Sequence, residues 1–346
     1  MINQSRAVLV TGGAGYIGSH AALALHDAGI RVVVLDDLST GTEAAVPAGV
    51  TLIRGSTADI NLIVTLIRLY DIDAVMHFAG SLVVPESVVH PIAYWRNNVA
   101  NTMNLAEACV LAGVEQLVFS STAAVYGLSD AAQVDEDTVP APINPYGSSK
   151  LAAERLLADV SAAHGLRVAV LRYFNVAGAD PEGRAGQRTV GATHLIKVAC
   201  EVATGQRAGM SVFGCDYDTV DGTCVRDFIH VSDLAEAHVL ALRYLRAGGA
   251  STTLNCGYGR GQSVRAVIEA VERLSGATVE LQTMPRRAGD PPALVAQADR
   301  IRSVLGWEPR HTGLDEILGS SLAWERRMMQ ERMFDTAELV EVTSAA

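Results

Sequence analysis

Several features are scarce in this sequence of 346 residues. The net charge is −11, so there is no excess of basic residues, and this argues against a nucleic-acid-binding or membrane-surface protein, because either would need a basic face. Cysteine is rare, with no CxxC pair and no spacing typical of metal ligands, so we predict no metal site. We expect ordinary buried thiols in a reducing compartment from the five cysteines, at positions 109, 200, 215, 224 and 256.

Signals that direct a chain to or through a membrane are also missing. Residues 1–20 do not show the succession of charged, apolar and small residues that marks a signal peptide. No apolar run is long enough to cross a bilayer. We therefore expect a cytoplasmic protein with neither nucleic-acid nor membrane partners.

The residues that are present fit a globular α/β protein. About two units are expected from the length, and 49% of the residues are hydrophobic. Short apolar runs alternate with helical patterns, which is typical of a doubly wound parallel sheet. The predicted strands are residues 7–10, 32–35, 51–53, 74–78, 116–119 and 168–171.

The second half of the chain loses this alternation after Asn175. Strand-like runs at 228–231 and 254–256 indicate that the chain returns to the sheet. We therefore predict a larger domain of residues 1–178, joined by roughly 226–256, and a smaller mixed α/β C-terminal substrate lobe of roughly 179–225 and 257–330. Residues 331–346 become polar and then small, and we expect a flexible tail there.

A glycine-rich turn follows the first predicted strand, with glycines at 12, 15 and 18. Gly12 permits a tight turn, Gly15 lets a pyrophosphate approach the backbone, and Gly18 allows the next helix to pack closely. The same glycines are compatible with a mere strand–helix turn. Their place at the head of a βαβ unit favours a Rossmann-type sheet and a dinucleotide.

Asp36 ends the second predicted strand, eighteen residues after Gly18. A carboxylate there accepts hydrogen bonds from the adenosine ribose and repels a 2′-phosphate. The alternative is that Asp36 only shapes a turn. Because no arginine stands at 37 or 38, we predict NAD rather than NADP.

Tyr146 and Lys150 are four residues apart at the start of a helical pattern, so their side chains share one face. A free phenol has a pKa of about 10, and a nearby ammonium together with a positive nicotinamide ring would stabilise its phenolate. Thr122 ends another predicted strand, where its hydroxyl is able to meet a substrate oxygen. Each feature alone is also compatible with a surface helix turn or an ordinary strand end.

Nine segments together carry a more specific signal. The chain resembles the UDP-glucose 4-epimerase family, within the extended short-chain dehydrogenase/reductase superfamily, from residue 8 to about residue 309. The segments are TGGAGYIGSH at 11–20, HFAG at 77–80, VPESVVHP at 84–91, NN at 97–98, SSTAAVYG at 120–127, YGSSK at 146–150, LRYFNVAGA at 171–179, DYDTVDGTCVRDFIHVSDLAEAH at 216–238 and RRAGDPP at 286–292.

The resemblance implies reversible inversion at C4 of a UDP-hexose through a 4-keto sugar, with UDP-glucose and UDP-galactose as the expected pair. Tyr146 would take the proton of the 4-hydroxyl, and Thr122 would place the 4-oxygen. Lys150 would hold the nicotinamide ribose and tune Tyr146. NAD would stay bound through turnover, and the family is typically homodimeric.

The resemblance also implies two sets of binding residues. Those for NAD are Gly12, Gly15, Tyr16, Ile17, Gly18, Asp36, Ser56, Phe78, Ala79, Asn97, Tyr146, Lys150 and Tyr173. Those for the UDP-sugar are Thr122, Tyr146, Asn175, His194, Leu195, Phe213, Arg226, Arg287, Asp290 and Leu294. The guanidinium groups of Arg226 and Arg287 suit the diphosphate, because each can bond to its oxygens in pairs, although a lone arginine is more often a solvated charge. We expect His77 and His230 to be structural.

Some positions depart from the family pattern. Ser56 replaces a carboxylate that meets adenine, Leu82 replaces a frequent lysine, and Phe228 replaces a common tyrosine. Leu294 is intermediate between the large gate residue of strict glucose epimerases and the small one of enzymes that accept N-acetyl sugars. An N-acetylhexosamine, a pentose or a uronate therefore stays open as the sugar.

Two rival functions are less well supported. A nucleotide-sugar 4,6-dehydratase needs an acid–base pair directly after Thr122, where this chain has Ala123 and Ala124. A non-catalytic NAD-sensing protein on the same fold would have no need to retain Tyr146 and Lys150.

Overall fold

The structure is a computed structural model that describes residues 6–129, 131, 133–287 and 290–344. Its strands are β1 (Ala7–Thr11), β2 (Val32–Asp36), β3 (Thr51–Arg54), β4 (Ile72–His77), β5 (Gln116–Thr122), β6 (Arg167–Tyr173), β7 (Asn175–Ala177), β8 (Met210–Phe213), β9 (Val225–His230), β10 (Thr252–Cys256), β11 (Gly261–Ser263), β12 (Leu281–Met284) and β13 (Ala293–Leu294). Its helices are α1 (Tyr16–Asp27), α2 (Ile60–Tyr70), α3 (Val84–Val89), α4 (Pro91–Trp95), α5 (Asn101–Ala112), α6 (Pro145–His164), α7 (Leu195–Ala203), α8 (Val231–Arg246), α9 (Val264–Ser275), α10 (Asp299–Leu305) and α11 (Leu314–Ser344). Short 3₁₀ turns cover Glu43–Ala45 and Ala123–Val125, and a π-helical turn covers Arg96–Ala100.

Seven parallel strands form the large sheet, in the order β10-β6-β5-β4-β1-β2-β3. The six strands predicted for the first half of the chain all lie in it, as does the run at 254–256. From β1 the chain winds outward through β2 and β3, and it then crosses to the other side of β1 to begin β4. Such a switch point opens a crevice at the carboxyl ends of the central strands, which is where ligands bind in this architecture.

Both faces of the sheet are covered, and this explains its apolar sequence. All residues of β1 and β2 are buried. Val8 packs in one core cluster with Leu25 of α1 and Leu234 of α8. Leu9, on the opposite face, packs in a second cluster that takes in side chains from α2, α5 and α6. A parallel sheet that is buried on both faces needs such runs rather than alternation.

A smaller sheet contains β9 between β11 and β13, with β7 also paired to β9. The prediction that residues 228–231 rejoin the large sheet is therefore wrong. The physical reason is Asp227, a buried residue of β9, which accepts hydrogen bonds from the backbone N–H groups of Tyr258, Gly259 and Ala296. These bonds tie β9 to the C-terminal segments, and the return to the large sheet is made by β10.

Two details differ from the sequence-based expectations. The backbone of residues 331–344 is helical, as part of α11, where the sequence predicts a tail; this segment contains helix-favouring glutamate, leucine and alanine. All five cysteines are free, but Cys215 is exposed because it lies in the loop between β8 and β9, so the prediction of a buried thiol is wrong there. In the part of the chain that the structure describes, no helix is long and apolar enough to cross a membrane.

Candidate active site

The turn between β1 and α1 is packed so closely that two of its positions accept only glycine. Gly12 has a φ of 71°, and a Cβ on it would lie 2.5 Å from the backbone nitrogen of Ala79. A Cβ on Gly18 would lie 2.2 Å from the carbonyl oxygen of Gly12. No side chain caps the N-terminus of α1, which begins at Tyr16, so its first N–H groups are available to an anionic group held over the turn.

Asp36 lies beside this turn at the end of β2. Its carboxylate accepts hydrogen bonds from the N–H groups of Ala14 at 2.9 Å and Leu38 at 2.8 Å. Burial raises the pKa of Asp36, and these two hydrogen bonds act in the opposite direction. Ser56, after β3, accepts a hydrogen bond from the N–H of Ala58 at 3.2 Å and so shapes the turn into α2. The open glycine turn and the adjacent carboxylate fit the pyrophosphate and the ribose of a dinucleotide.

Tyr146 and Thr122 meet at the carboxyl end of β5. Asn144 caps α6 by accepting a hydrogen bond from the N–H of Gly147 at 2.9 Å, and this places Tyr146 in the first turn. The Thr122 hydroxyl acts on the Tyr146 phenol and lowers its pKa, but burial has the larger effect and raises that pKa. In the chain alone, the lowering that the sequence predicts for this phenol is therefore outweighed by burial.

Lys150 lies one turn further along α6 and is 7% exposed. Its Nζ is 4.1 Å from the centre of the Phe119 ring. Burial lowers the pKa of Lys150 to about 8, although the charge of Glu154 acts in the opposite direction. Within the described residues no carboxylate lies within 4.0 Å of this ammonium, so its charge is free to act on a neighbouring group.

Hydrogen-bonded side chains surround this pair. His77 contacts Thr11 at 2.7 Å and Thr102 at 2.9 Å, and its burial, with the charge of Lys150, lowers its pKa to about 3. Asn97 lies on the π-helical turn and donates to the Ser81 hydroxyl at 2.9 Å. Turns of this kind are frequent at functional sites.

Aromatic rings form a further part of the site. Phe78, directly before Ala79, lies 4.7 Å from the ring of His238, centre to centre. The Tyr173 hydroxyl is 2.5 Å from Ser120 Oγ, and its ring is 6.3 Å from His238. The Nε2 of His238 is buried and has no hydrogen-bond partner among the described residues.

One group of the residues predicted to bind the UDP-sugar clusters around β9 and the β8–β12 pair. Arg226 forms an ion pair with Asp290, with Nη2 3.2 Å from Oδ1. Leu294 lies opposite Arg226 in the β13–β9 register. The guanidinium of Arg287 lies 3.7 Å from the centre of the Phe213 ring. The N–H of Asp290 donates to the carbonyl of Arg287 at 3.3 Å, so the five residues are linked by contacts.

A second group lines a cavity that reaches Tyr16, the first residue of α1. Asn175, His194 and Leu195 line it together with Tyr16 and Phe228. The Tyr16 hydroxyl donates to the carbonyl of Gly178 at 2.6 Å. The Gln187 amide lies 3.0 Å from His194 Nδ1, and burial lowers the pKa of His194. Among the described residues, no hydrogen bond or ion pair joins this group or the Arg226 group to Tyr146.

Sequence comparison gives the deciding observation. Residues 8–257 match the sequence profile of the NAD dependent epimerase/dehydratase family. A UDP-glucose 4-epimerase from Azospirillum brasilense is 59% identical over 323 residues, which are 93% of this chain and 93% of that protein. This chain belongs to the UDP-glucose 4-epimerase family.

Solved structures agree with this family assignment. The UDP-glucose 4-epimerase from Brucella ovis in complex with NAD is 44% identical, with a TM-score of 0.89 over 92% of this chain and 98% of that one. The UDP-glucose-4-epimerase from Stenotrophomonas maltophila, with bound NAD and formylated UDP-arabinopyranose, is 39% identical, with a TM-score of 0.90 over 94% and 99% of the two chains. The predicted family and the predicted Rossmann-type fold are thus confirmed.

Sequence reasoning missed several buried polar residues of this family member. Glu154 and Arg172 form a buried ion pair next to Lys150, and the spacing of Glu154, four residues after Lys150, was the signal that could have found it. The second missed feature is Lys197, which also lines the cavity with Tyr16. The sequence contains only two lysines, Lys150 and Lys197, and that count alone could have singled it out. No group of three or more metal-ligating side chains occurs in the described ranges, which omit 1–5, 130, 132, 288–289 and 345–346.

Proposed function

We propose that this protein interconverts UDP-glucose and UDP-galactose by NAD-dependent inversion at C4 of the sugar. The observation that carries the proposal is the position of Tyr146 one turn before Lys150 on α6, with the Thr122 hydroxyl acting on the phenol. Among the described residues, the Lys150 ammonium has no carboxylate within ion-pair distance. Removal of a proton from an alcohol requires a base, a hydrogen-bond donor and a positive charge. The Tyr146 phenol, the Thr122 hydroxyl and the buried Lys150 ammonium supply them near the carboxyl end of β5.

The chain's own residues supply the proton transfer. Tyr146 takes the proton of the 4-hydroxyl, and Thr122 holds the 4-oxygen in line with the phenol. Lys150 stabilises the phenolate by its charge, which offsets part of the burial that raises the pKa of Tyr146. When bound in the glycine turn and against Lys150, NAD would supply the hydride acceptor and donor that the inversion at C4 needs. Tyr146 then returns the proton to the 4-oxygen.

The residues around the glycine turn hold the cofactor in this proposal. The turn of Gly12, Gly15 and Gly18, with the first N–H groups of α1, binds the pyrophosphate, and Asp36 binds the adenosine ribose. Lys150 also holds the nicotinamide ribose. The remaining assigned contacts, toward adenine and nicotinamide, are Tyr16, Ile17, Ser56, Phe78, Ala79, Asn97, Tyr146 and Tyr173.

The UDP moiety is held firmly while the 4-keto sugar rotates to present its opposite face between the two hydride transfers. Arg226 and Arg287 bind the diphosphate, because a guanidinium can bond to its oxygens in pairs. Asp290 accepts hydrogen bonds from the uridine ribose hydroxyls. Its carboxylate must therefore bond to these hydroxyls and to Arg226 at the same time. The other assigned contacts are Asn175, His194, Leu195, Phe213 and Leu294.

The same residues leave other sugars as alternative substrates. Leu294 is half-buried and packs against the core, and as a mid-sized gate residue it leaves N-acetylhexosamines open. A pentose stays open as well, since the related Stenotrophomonas enzyme was solved with formylated UDP-arabinopyranose. A uronate is less favoured, because Leu82 offers no cation to its carboxylate.

We also propose a homodimer. Its support is an exposed apolar surface on α3 and α4, where Val89 is 71% exposed and Ile92 is 72% exposed, with Val88 and Trp95 nearby. Apolar patches of this kind mark interaction sites on soluble proteins. Light scattering should give twice the chain mass of 36.5 kDa for the wild type, and Ile92→Asp should shift the equilibrium toward monomer.

Two further proposals concern location and organisation. We place the protein in the cytoplasm, where its five free thiols would stay reduced. We divide it into an NAD-binding domain of residues 1–178, to which α8 and β10 return, and a UDP-sugar lobe of 179–225 and 257–330. Strand β9 pairs within the smaller sheet, so the returning segment is α8 with β10.

The test is an NMR assay of the purified protein with UDP-galactose and no added cofactor. Conversion to the glucose epimer is expected, because the NAD that stays bound is enough for turnover. Tyr146→Phe should abolish conversion while NAD and UDP still bind. UDP-N-acetylgalactosamine, assayed next, tests the Leu294 gate. If neither sugar converts even with NAD added, the hexose proposal is wrong.

A further inference from the structure

Glu154 lies at the centre of a buried polar cluster behind the Tyr146–Lys150 pair. Its carboxylate accepts hydrogen bonds from Arg172, with Nη2 at 2.6 Å from Oε2 and Nε at 3.1 and 3.2 Å from the two oxygens. It also accepts a hydrogen bond from the Ser121 hydroxyl. The side chains of Glu154 and Arg172 are each 7% exposed. Both carboxylate oxygens are therefore occupied by fixed partners.

The cluster joins the helix that carries the reactive pair to the two strands beside it. Tyr146, Lys150 and Glu154 are spaced by four residues along α6 and so share one face. Ser121 and Arg172 are directly opposite each other in the β5–β6 register. Their neighbours Thr122 and Tyr173 form the next pair in that register and lie in the site.

The charge of Glu154 also acts on Lys150. Lys150 is buried against the Phe119 ring, and its burial disfavours the ammonium form. Glu154 is the carboxylate whose charge favours that form. The titratable groups around this face include two on β6, Arg172 and Tyr173, and Tyr126, which contacts Arg172. The others are His77 on β4, Glu86 on α3, Tyr94 on α4, Cys109 on α5, and Tyr146 and Glu154 of α6 itself.

We propose that Glu154, fixed by Arg172 and Ser121, is a positioning residue that sets the Tyr146–Lys150 face of α6 against Thr122 and keeps Lys150 charged. It touches neither substrate nor cofactor and acts through Lys150. The inference rests on the proposed function, since that function gives the charge of Lys150 its meaning. It adds a second requirement, which is a carboxylate one helical turn beyond the lysine.

The composition of the chain makes the test unusually direct. Lysine labelled with ¹³C at Cε should give two NMR signals, because Lys150 and Lys197 are the only lysines in the sequence. The Lys150→Met variant assigns them. The full-length protein with NAD bound is then titrated from neutral to alkaline pH as wild type, as Glu154→Gln, and as Glu325→Gln. The last variant is a matched control, because Glu325 pairs with Lys197 and lies on α11.

The expected result is a change confined to one lysine in each variant. Glu154→Gln should move the Lys150 midpoint below the midpoint measured for wild type and leave the Lys197 signal unchanged. Glu325→Gln should change the Lys197 signal and leave the Lys150 midpoint in place. A Lys150 midpoint that is the same in Glu154→Gln and wild type overturns the inference.

Kinetics supply a second readout that a merely structural role would not move. In Glu154→Gln the alkaline limb of the kcat profile should move to lower pH together with the Lys150 midpoint. We expect kcat at neutral pH to fall about tenfold through misplacement of Tyr146, while the KM for UDP-galactose stays unchanged. A rise in KM with an unchanged kcat would contradict a positioning role.

Two precautions keep the outcome clear. Glu154→Gln leaves the buried Arg172 guanidinium without its partner, so Glu154→Asp replaces it where the first variant does not fold. The shorter carboxylate should shift the Lys150 midpoint in the same direction by a smaller amount, and an unchanged midpoint and kcat in that variant also overturn the inference. The titration needs no turnover. A wild type that does not epimerise therefore removes the proposed function alone.

Discussion

The two lysines of the chain are both buried, but their surroundings are opposite. The Nζ of Lys197 on α7 lies 2.5 Å from Glu325 Oε1 and 3.2 Å from Glu201 Oε1. Glu201 also pairs with Arg207, and Glu325 is 3.3 Å from the Gln206 amide. Lys150 on α6 has an aromatic ring beneath it and, within the described residues, no carboxylate within ion-pair distance.

The comparison shows that burial alone does not make a lysine available for chemistry. The charge of Lys197 holds α7 to α11, because one carboxylate from each of these helices forms an ion pair with it. Lys150 has Glu154 close enough to support its charge, while that carboxylate is taken up by Arg172 and Ser121. The two lysines differ in whether the nearby carboxylates bond to the lysine itself or to other side chains. Replacing each lysine in turn tests this difference.

The largest expected effect is the loss of turnover in Lys150→Met. We expect kcat to fall by about 10³-fold, the range found when a group that supports acid–base catalysis is removed. Lys197→Met is the matched variant, and its activity per folded molecule should fall far less than that of Lys150→Met, because Lys197 is paired with carboxylates. The measurement is UDP-galactose conversion by NMR, normalised to folded protein by circular dichroism. Equal losses in the two variants would break the comparison.

The second effect is on stability, and here the replacement of Lys197 should matter more than that of Lys150. Lys197→Met leaves Glu325 buried without its cation, so the free energy of unfolding should fall by about 3 kcal/mol. Urea unfolding measures this change. Adding Glu325→Gln should restore much of it, because Glu201 keeps Arg207 as a partner. If the double variant is no more stable than Lys197→Met, the pair does not hold α7 to α11 in the way described.

How much of this was predictable depends on how local each signal is. The glycine turn and the Tyr146–Lys150 spacing follow from residues close together in the sequence, and the structure places the turn after β1 and α6 against β5 of the same sheet. The placement of β9 was mispredicted, because it depends on Asp227 accepting bonds from residues about 30 and 70 positions further along the chain. A sequence pattern does not report such distant pairings.

The polar clusters illustrate the same limit within the site. Glu154 could be placed on the face of Lys150 from its spacing, but its partner Arg172 is on a different strand and reaches it only through the β5–β6 register. Likewise, the fall in the pKa of Lys150 depends on burial by elements that come from several parts of the chain. Motifs therefore identify reactive side chains, whereas their charge states require the packed fold.

The smallest effect is the pH dependence of stability that Lys150 contributes. Its pKa is about 8 in the folded chain and about 10.4 in an unfolded one, so between these values the unfolded state binds one more proton. The contribution of Lys150 to the free energy of unfolding therefore rises with pH across this window and is most unfavourable below pH 8.

Lys150→Met removes that cost, and near pH 7 it should unfold with a higher free energy than wild type, by at most about 3 kcal/mol, which is the full effect of the two pKa values. The gain should shrink as the pH rises toward 10, because the wild type then loses the same charge. Urea unfolding of both proteins at a series of pH values gives the difference, in which the ionisation of cysteines and tyrosines common to both cancels. A difference that does not change with pH would mean that Lys150 is not penalised by burial, and it would remove the contrast with Lys197.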